Sequence, residues 1–158
     1  MDKKTLAGLL FAGGLAVFLY LTIKAKTGSP LDDTNDVGYQ ISDADLKPLL
    51  RAKFPNAQLM LLDKQYYYTS IGEWTKIFED VLSNMPEHEV DRFDCENFAF
   101  LTIARVNEQY HLNTCGFAIG MGWAHSFNVF IADDGIHTLD AETGEVDILN
   151  IVDFLIMG

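Results

Sequence analysis

The hydrophobic period of this chain changes partway along, and the change limits the folds open to it. From Ile41 to Tyr110 apolar residues recur at helical spacing; after Cys115 they alternate. Helices first and strands second make an α+β domain, with N-terminal helices packed on an antiparallel sheet.

The helical part divides into three. Leu46, Leu49, Leu50 and Phe54 share one face of a helix within Ile41 to Phe54. Ser42 and Asp45 both suit its N-cap, and Pro48, at home only in a first turn, favours Asp45. Pro55-Asn56 ends it. Ala57 to Leu62 reads as a short buried strand, and Asp63 to Tyr68 as a loop. Tyr66, Tyr67 and Tyr68 either line a cleft or pack on the core. Ser70 and Glu73 form a capping box ahead of the apolar face Ile71, Trp74, Ile77, Phe78, Val81 and Leu82. Pro86 closes that helix. The third begins at Cys95, behind the N-cap candidate Asp94, with Phe98, Ala99, Thr102 and Val106 on the side of Cys95. It fades between Tyr110 and Asn113.

The alternating part gives strands at Cys115 to Gly122, Ser126 to Ala132, Ile136 to Asp140 and Glu145 to Leu149. Asp133-Asp134-Gly135 and Glu142-Thr143-Gly144 are the turns of an antiparallel meander. Ile148 to Met157 suits either a strand or a short helix.

Ahead of this domain, Thr5 to Ile23 is apolar and uncharged, between Lys3-Lys4 and Lys24 and Lys26. Such a run comes close to spanning a bilayer core of ~30 Å. Lys24-Ala25-Lys26 stands where a signal cleavage site would belong, so an anchor is favoured over a removed leader. The expected organisation is a transmembrane anchor over 1–26, a polar linker over 27–40 and the α+β domain over 41–158. The chain is thus read as a single-pass membrane protein whose bilayer contact is residues 5–23. Gly8, Ala12 and Ala16, on one face, offer a surface for self-association. Lysines at both ends leave the orientation open.

A net charge of −12 with no basic stripe argues against a nucleic-acid partner. Two cysteines, Cys95 and Cys115, are too few for a disulfide scaffold, and no zinc spacing is present. Unpaired thiols are favoured over a single bridge.

Cys95 has two readings, a small buried apolar residue or a nucleophile. A helix N-terminus favours thiolate, and Asp94 opposes it unless backbone N–H groups neutralise that carboxylate. His125, at the entrance to a strand, is the best-placed base. His111 lies at the far end of the helix, His137 on another strand, and His88 in a charged loop. Asp140 and Glu142 are candidates to orient the imidazole, against solvated turn carboxylates. Asn128 falls on the strand face opposite His125 and is expected to pin a loop. An oxyanion hole would take the Cys95 backbone N–H and a side-chain donor, for which Gln65 and Asn97 are candidates. Thiol, imidazole and orienting group are the parts of papain-type catalysis.

The phrases Phe93-Asp94-Cys95-Glu96-Asn97-Phe98-Ala99, His125-Ser126-Phe127-Asn128 and Asp140-Ala141-Glu142-Thr143-Gly144 resemble the papain-like C-terminal domain of a mushroom agglutinin. Related stand-alone domains occur in bacterial and phage proteins. The resemblance runs from about Ser42 to Leu149 and includes the Asp63 to Tyr67 loop. It implies Cys95 as nucleophile, His125 as base and Asp140 as acid, shortened from Glu. It makes Gln65 a weak match to an oxyanion-hole Gln. Ser126, Ala141 and Glu142 depart from the family's Ala, Pro and Gln. Calcium enters through the resemblance only; no ligand set or other cofactor is read from the residues.

The expectation is a membrane-anchored, papain-like cysteine hydrolase acting on a peptide or amide bond, in protein or peptidoglycan. The alternative is a catalytically silent papain-like structural or binding module, for example a viral or phage membrane-associated protein. A calcium-dependent binding domain is a third reading.

Overall fold

The computed structural model describes residues 38–120, 122, 124–147 and 151–158. The elements in order are β1 (Tyr39–Ser42), α1 (Asp43–Lys53), β2 (Gln58–Leu61), β3 (Gln65–Tyr68), α2 (Ile71–Leu82), α3 (Cys95–Tyr110), β4 (Cys115–Gly120), β5 (His125–Ala132), β6 (Gly135–Leu139) and β7 (Phe154–Met157). The α+β class holds, with helices ahead of the meander. The proposed anchor over 1–26 lies outside the described residues. Among those that are described, no helix is long and apolar enough to cross a membrane.

The main sheet has the order β2-β7-β4-β5-β6. The strands β4, β5 and β6 form the expected antiparallel meander, joined at Gly120↔His125 and Ala132↔Gly135. The sheet is nevertheless mixed, because β7 enters between β4 and β2 and pairs parallel with β2. Glu145 to Leu149 supplies only the bridge Leu139↔Val146 among its described residues. The ambiguous C-terminal run is a strand over Phe154–Met157.

Alternation along β5 divides the core. Phe127, Val129 and Ile131 pack with Leu46, Leu50 and Phe54 of the α1 segment. Phe130 and Ala132 face the other way, onto Trp74, Phe78 and Val81 of α2 and Val106 of α3. The sheet is thus covered by α1 on one face and by α2 and α3 on the other. Trp74 is fully buried; its indole N–H donates to Ile131 O at 2.6 Å, and its ring stacks on Phe78 at 5.0 Å. The capping box read at Ser70 forms as far as Ser70 Oγ, which accepts from Glu73 N at 3.3 Å.

Other local expectations are corrected. The cap of α1 is Ser42, whose Oγ accepts from Asp45 N at 3.2 Å. Pro48 therefore sits inside the helix. It is tolerated because the carbonyl it leaves unbonded belongs to exposed Ala44, where water can serve. Leu49, expected on the buried face, is half exposed. The strand β2 lies at the sheet edge with Met60 and flanking Leu62 exposed, so it is not a buried strand. Asp63 to Tyr68 is no loop throughout: Gln65–Tyr68 pairs antiparallel with β1, which starts inside the expected linker at Tyr39. Tyr66 goes to the core, its hydroxyl accepting from Asp63 N at 3.0 Å and donating to Met157 O at 3.2 Å.

One close approach fixes a residue type. A Cβ on Gly116 of β4 would stand 2.6 Å from Ile156 O of β7. Gly116→Ala should destabilise the fold by about 1–3 kcal/mol. In α2, a Cβ on Gly72 would meet nothing nearer than Ser70 Oγ at 4.0 Å. Gly72→Ala should therefore stabilise by about 0.4–1 kcal/mol through the unfolded chain and helix propensity. Urea unfolding of both variants checks the opposite signs.

Candidate functional site

Helix α3 begins at Cys95 because Asp94 breaks the helical conformation ahead of it with extended backbone. The cap is supported from inside the first turn, where Asn97 Oδ1 accepts from Asp94 N at 3.3 Å. Asp94 Oδ1 is buried with no hydrogen-bond partner. Phe98, Ala99, Thr102 and Val106 form the buried side of the helix, as their spacing predicts.

The helix and β5 run in the same direction. Near the start of α3, Ala99 O accepts from Asn128 Nδ2 at 3.0 Å; further along both elements, Val106 packs with Phe130 and Ala132. The beginnings of the two elements, Cys95 and His125, therefore lie toward the same end of the sheet. Antiparallel β6 brings its own end there, since Leu139 pairs with Asn128 and Asp140 follows.

At that end the carboxylate and the imidazole meet: Asp140 Oδ2 lies 3.0 Å from His125 Nε2. Asp140 is itself held. Its Oδ1 accepts from the backbone N–H of Glu142 at 3.0 Å and of Thr143 at 3.3 Å. A carboxylate anchored by two amides and largely buried is a fixed acceptor for one ring nitrogen. It leaves His125 Nδ1 as the ring atom open to a proton relay. The His125 ring also lies over Phe127, at 6.2 Å and 21°. That contact is on the α1 side of the sheet, whereas α3 lies on the other side. The sulfur can approach the ring only around the end of the sheet where β5 begins. Among the described residues, the hydrogen-bond partner of Cys95 Sγ is Glu96 Oε2 at 3.5 Å, not the imidazole.

The segment leading into α3 reaches the same turn. His88 Nε2 stands 3.9 Å from Glu142 Oε1. Glu142 is thus a neighbour of His88 and, through its backbone, a support for Asp140.

The remaining candidates fall elsewhere. Gln65 O accepts from Asn113 Nδ2 at 3.0 Å, and Asn113 lies beyond the C-terminal end of α3. A helix of 16 residues puts that end on the order of 20 Å from Cys95. Gln65 is therefore outside the site, the separation arising because β3 pairs with β1 rather than approaching the start of α3. Asn97 has its carbonyl engaged in the cap. Asn128 pins no loop: its Nδ2 joins α3 to β4 through Ala99 O and, at 3.2 Å, Gly116 O. His137 is held between Asp134, at 2.9 Å, and Asp147, at 3.0 Å. His111 is the left-handed C-cap of α3.

Three features were not read from the residues: the two amides gripping Asp140, the carboxylate beside Cys95, and the helix-to-sheet role of Asn128. The first had a signal, since an Asp followed by a turn phrase readily accepts from the amides two and three positions on. Glu96 lies next to Cys95 in sequence, but nothing in the sequence gives its side-chain direction.

Neither thiol is bridged. Cys115 begins β4, opposite Phe130 and away from the His125 end. Full burial pushes its thiol well above the ordinary value of 9.0. Native protein should therefore expose one thiol, Cys95, to an aromatic disulfide reagent, and denatured protein two. A raised folded value also means that stability is full below the unfolded thiol range and falls as pH rises through it. Burial raises Tyr66 and Tyr110 in the same direction, with the Asp80 carboxylate adding to the shift of Tyr110. Urea midpoints should decline from about pH 8.5 upward, and Cys115→Ala should remove the earliest part of that decline.

No family model matches the chain, and no curated protein matches it. Solved structures do. One, the PSL1a–E64 complex, is 20% identical with a TM-score of 0.62, over 74% of this chain and 51% of the other. Another, the Polyporus squamosus lectin bound to the human-type influenza-binding epitope Neu5Aca2-6Galb1-4GlcNAc, is 17% identical with a TM-score of 0.60, over 74% and 49%. The chain spans about half the length of the solved structures it matches. The likeness is one of fold: it agrees with the mushroom-agglutinin side of the resemblance, peptidase activity forms no part of it, and the α+β domain described here shares its architecture with chains of a fungal lectin.

Proposed function

We propose that the domain is a thiol hydrolase of the papain type, acting on a peptide or amide bond. The observation that carries this reading is the His125–Asp140 hydrogen bond at the end of the sheet toward which α3 presents Cys95. In this reading Cys95 Sγ attacks the carbonyl carbon while its proton passes to His125 Nδ1. The imidazolium, steadied by Asp140, returns the proton to the leaving nitrogen. Water, deprotonated by the same imidazole, then cleaves the thioester and restores the thiol. The Cys95 backbone N–H, at the free end of the helix, is the oxyanion donor. In this reading sulfur meets imidazole once Cys95 leaves Glu96 and turns around the end of β5. The PSL1a structure solved with E64 lends support, since E64 is an epoxide electrophile suited to a thiol. The apolar run over residues 5–23 is kept in this proposal as a membrane anchor.

A second reading is a catalytically silent binding module. The neighbours are lectins, and one is bound to a sialylated trisaccharide. Lectin likeness favours a carbohydrate ligand over a peptide and so supports this second reading more directly than it supports hydrolysis. The side chains around His125 favour the first.

Labelling separates them. E64 should modify Cys95 and spare Cys115 by intact-mass analysis. His125→Ala should slow that reaction by on the order of a hundredfold, and Asp140→Ala should slow it as well. Slow labelling of Cys95 that ignores His125, together with retention on an immobilised glycan, would establish the binding module instead.

A further inference from the structure

Asn128 is buried completely, yet its amide is only partly satisfied. Nδ2 donates to Ala99 O and Gly116 O, and Oδ1 has no partner. A buried amide with an orphan oxygen is a poor choice for stability, because an apolar side chain of similar size would leave nothing unpaired. Ala99 O gains little from the contact, since a carbonyl in the interior of α3 already accepts within the helix. The position is nonetheless singular. Asn128 lies three residues along β5 from His125, and it grips α3 one turn beyond Cys95. Through Gly116 it also fixes that helix against β4, the strand that pairs with the His125 end of β5.

Packing alone holds a helix on a sheet but permits small slides along its axis, because apolar contacts have no direction. A hydrogen bond to one carbonyl removes that freedom. We infer that Asn128 is a positioning residue, which sets the axial placement of α3 and thereby the approach of Cys95 to His125. This rests on the thiol-hydrolase reading above. Asn128 touches neither sulfur nor substrate; it acts through the helix. A misplacement of about 1 Å costs an aligned reaction up to roughly a hundredfold, which is the scale expected when the strut is removed.

The test uses the full chain, with E64 labelling of Cys95 followed from pH 5 to pH 9. Asn128→Leu should remain folded by circular dichroism, with an unfolding temperature no lower than that of Val106→Ala, which thins the same helix–sheet core away from the site. Its labelling should fall by between about ten- and a hundredfold, and its pH profile should take the shape given by His125→Ala. Val106→Ala should keep the wild-type profile. Should Asn128→Leu fail to fold, Asn128→Ser serves in its place, with the same expected loss. If the Asn128 variants keep the wild-type rate and profile, or if Val106→Ala loses them equally, the positioning role is overturned while the thiol reading stands. If His125→Ala leaves wild-type labelling unchanged, both fall together.

Discussion

The seating of α3 on β5 sets the geometry at the end of the sheet. Because helix and strand run the same way, their first residues arrive together. Those residues are a cysteine at the first position of a helix and a histidine with a carboxylate behind it. The contact has two parts of different character. Phe100 lies flat on Phe117, at 4.3 Å and 10°, which resists separation of helix from sheet. Asn128 resists sliding. A slip of one helical turn, about 5.4 Å, would carry the sulfur off the end of the sheet or bury it beneath β5.

The fold was legible where local signals agreed with tertiary ones. The helix α2 carries its own cap, a clean apolar face and a following proline, and it forms close to where those place it. The start of α3 at Cys95 and the β4–β5–β6 meander were equally open to reading, because caps, period and turn residues all act within a few positions. The two strands that local signals leave unread or undecided share one cause. Tyr66 to Tyr68 and Phe154 to Met157 are short apolar runs whose strand character comes from partners far along the chain, β1 in one case and β2 with β4 in the other. No periodicity over four residues can report that. The preference for Asp45 over Ser42 as the cap of α1 fails for another reason: the carbonyl that Pro48 leaves unbonded belongs to exposed Ala44, so the proline costs little inside the helix.

The site divides along the same line. His125 and Asp140 were proposed from turn and strand phrases, and the hydrogen bond between them follows from the meander register. Gln65 was placed by analogy with a motif order, and the pairing of β3 with β1 takes it elsewhere. Fold likeness to fungal lectins describes a scaffold; what a scaffold does is decided by side chains such as these. Here the side chains at that end of the sheet are an imidazole and a carboxylate held by two turn amides.

The position of β7 bears on how the domain is made. It lies inside the sheet, between β2 and β4, yet every other strand described precedes it in the chain. The hydroxyl of Tyr66 bonds the backbone of Met157 across 91 positions. During synthesis β4 therefore waits with one edge bare, a template open to any passing strand, until the last of these segments has emerged. A domain built in this order gains from a short interval between translation and closure, or from a chaperone that shields that edge meanwhile.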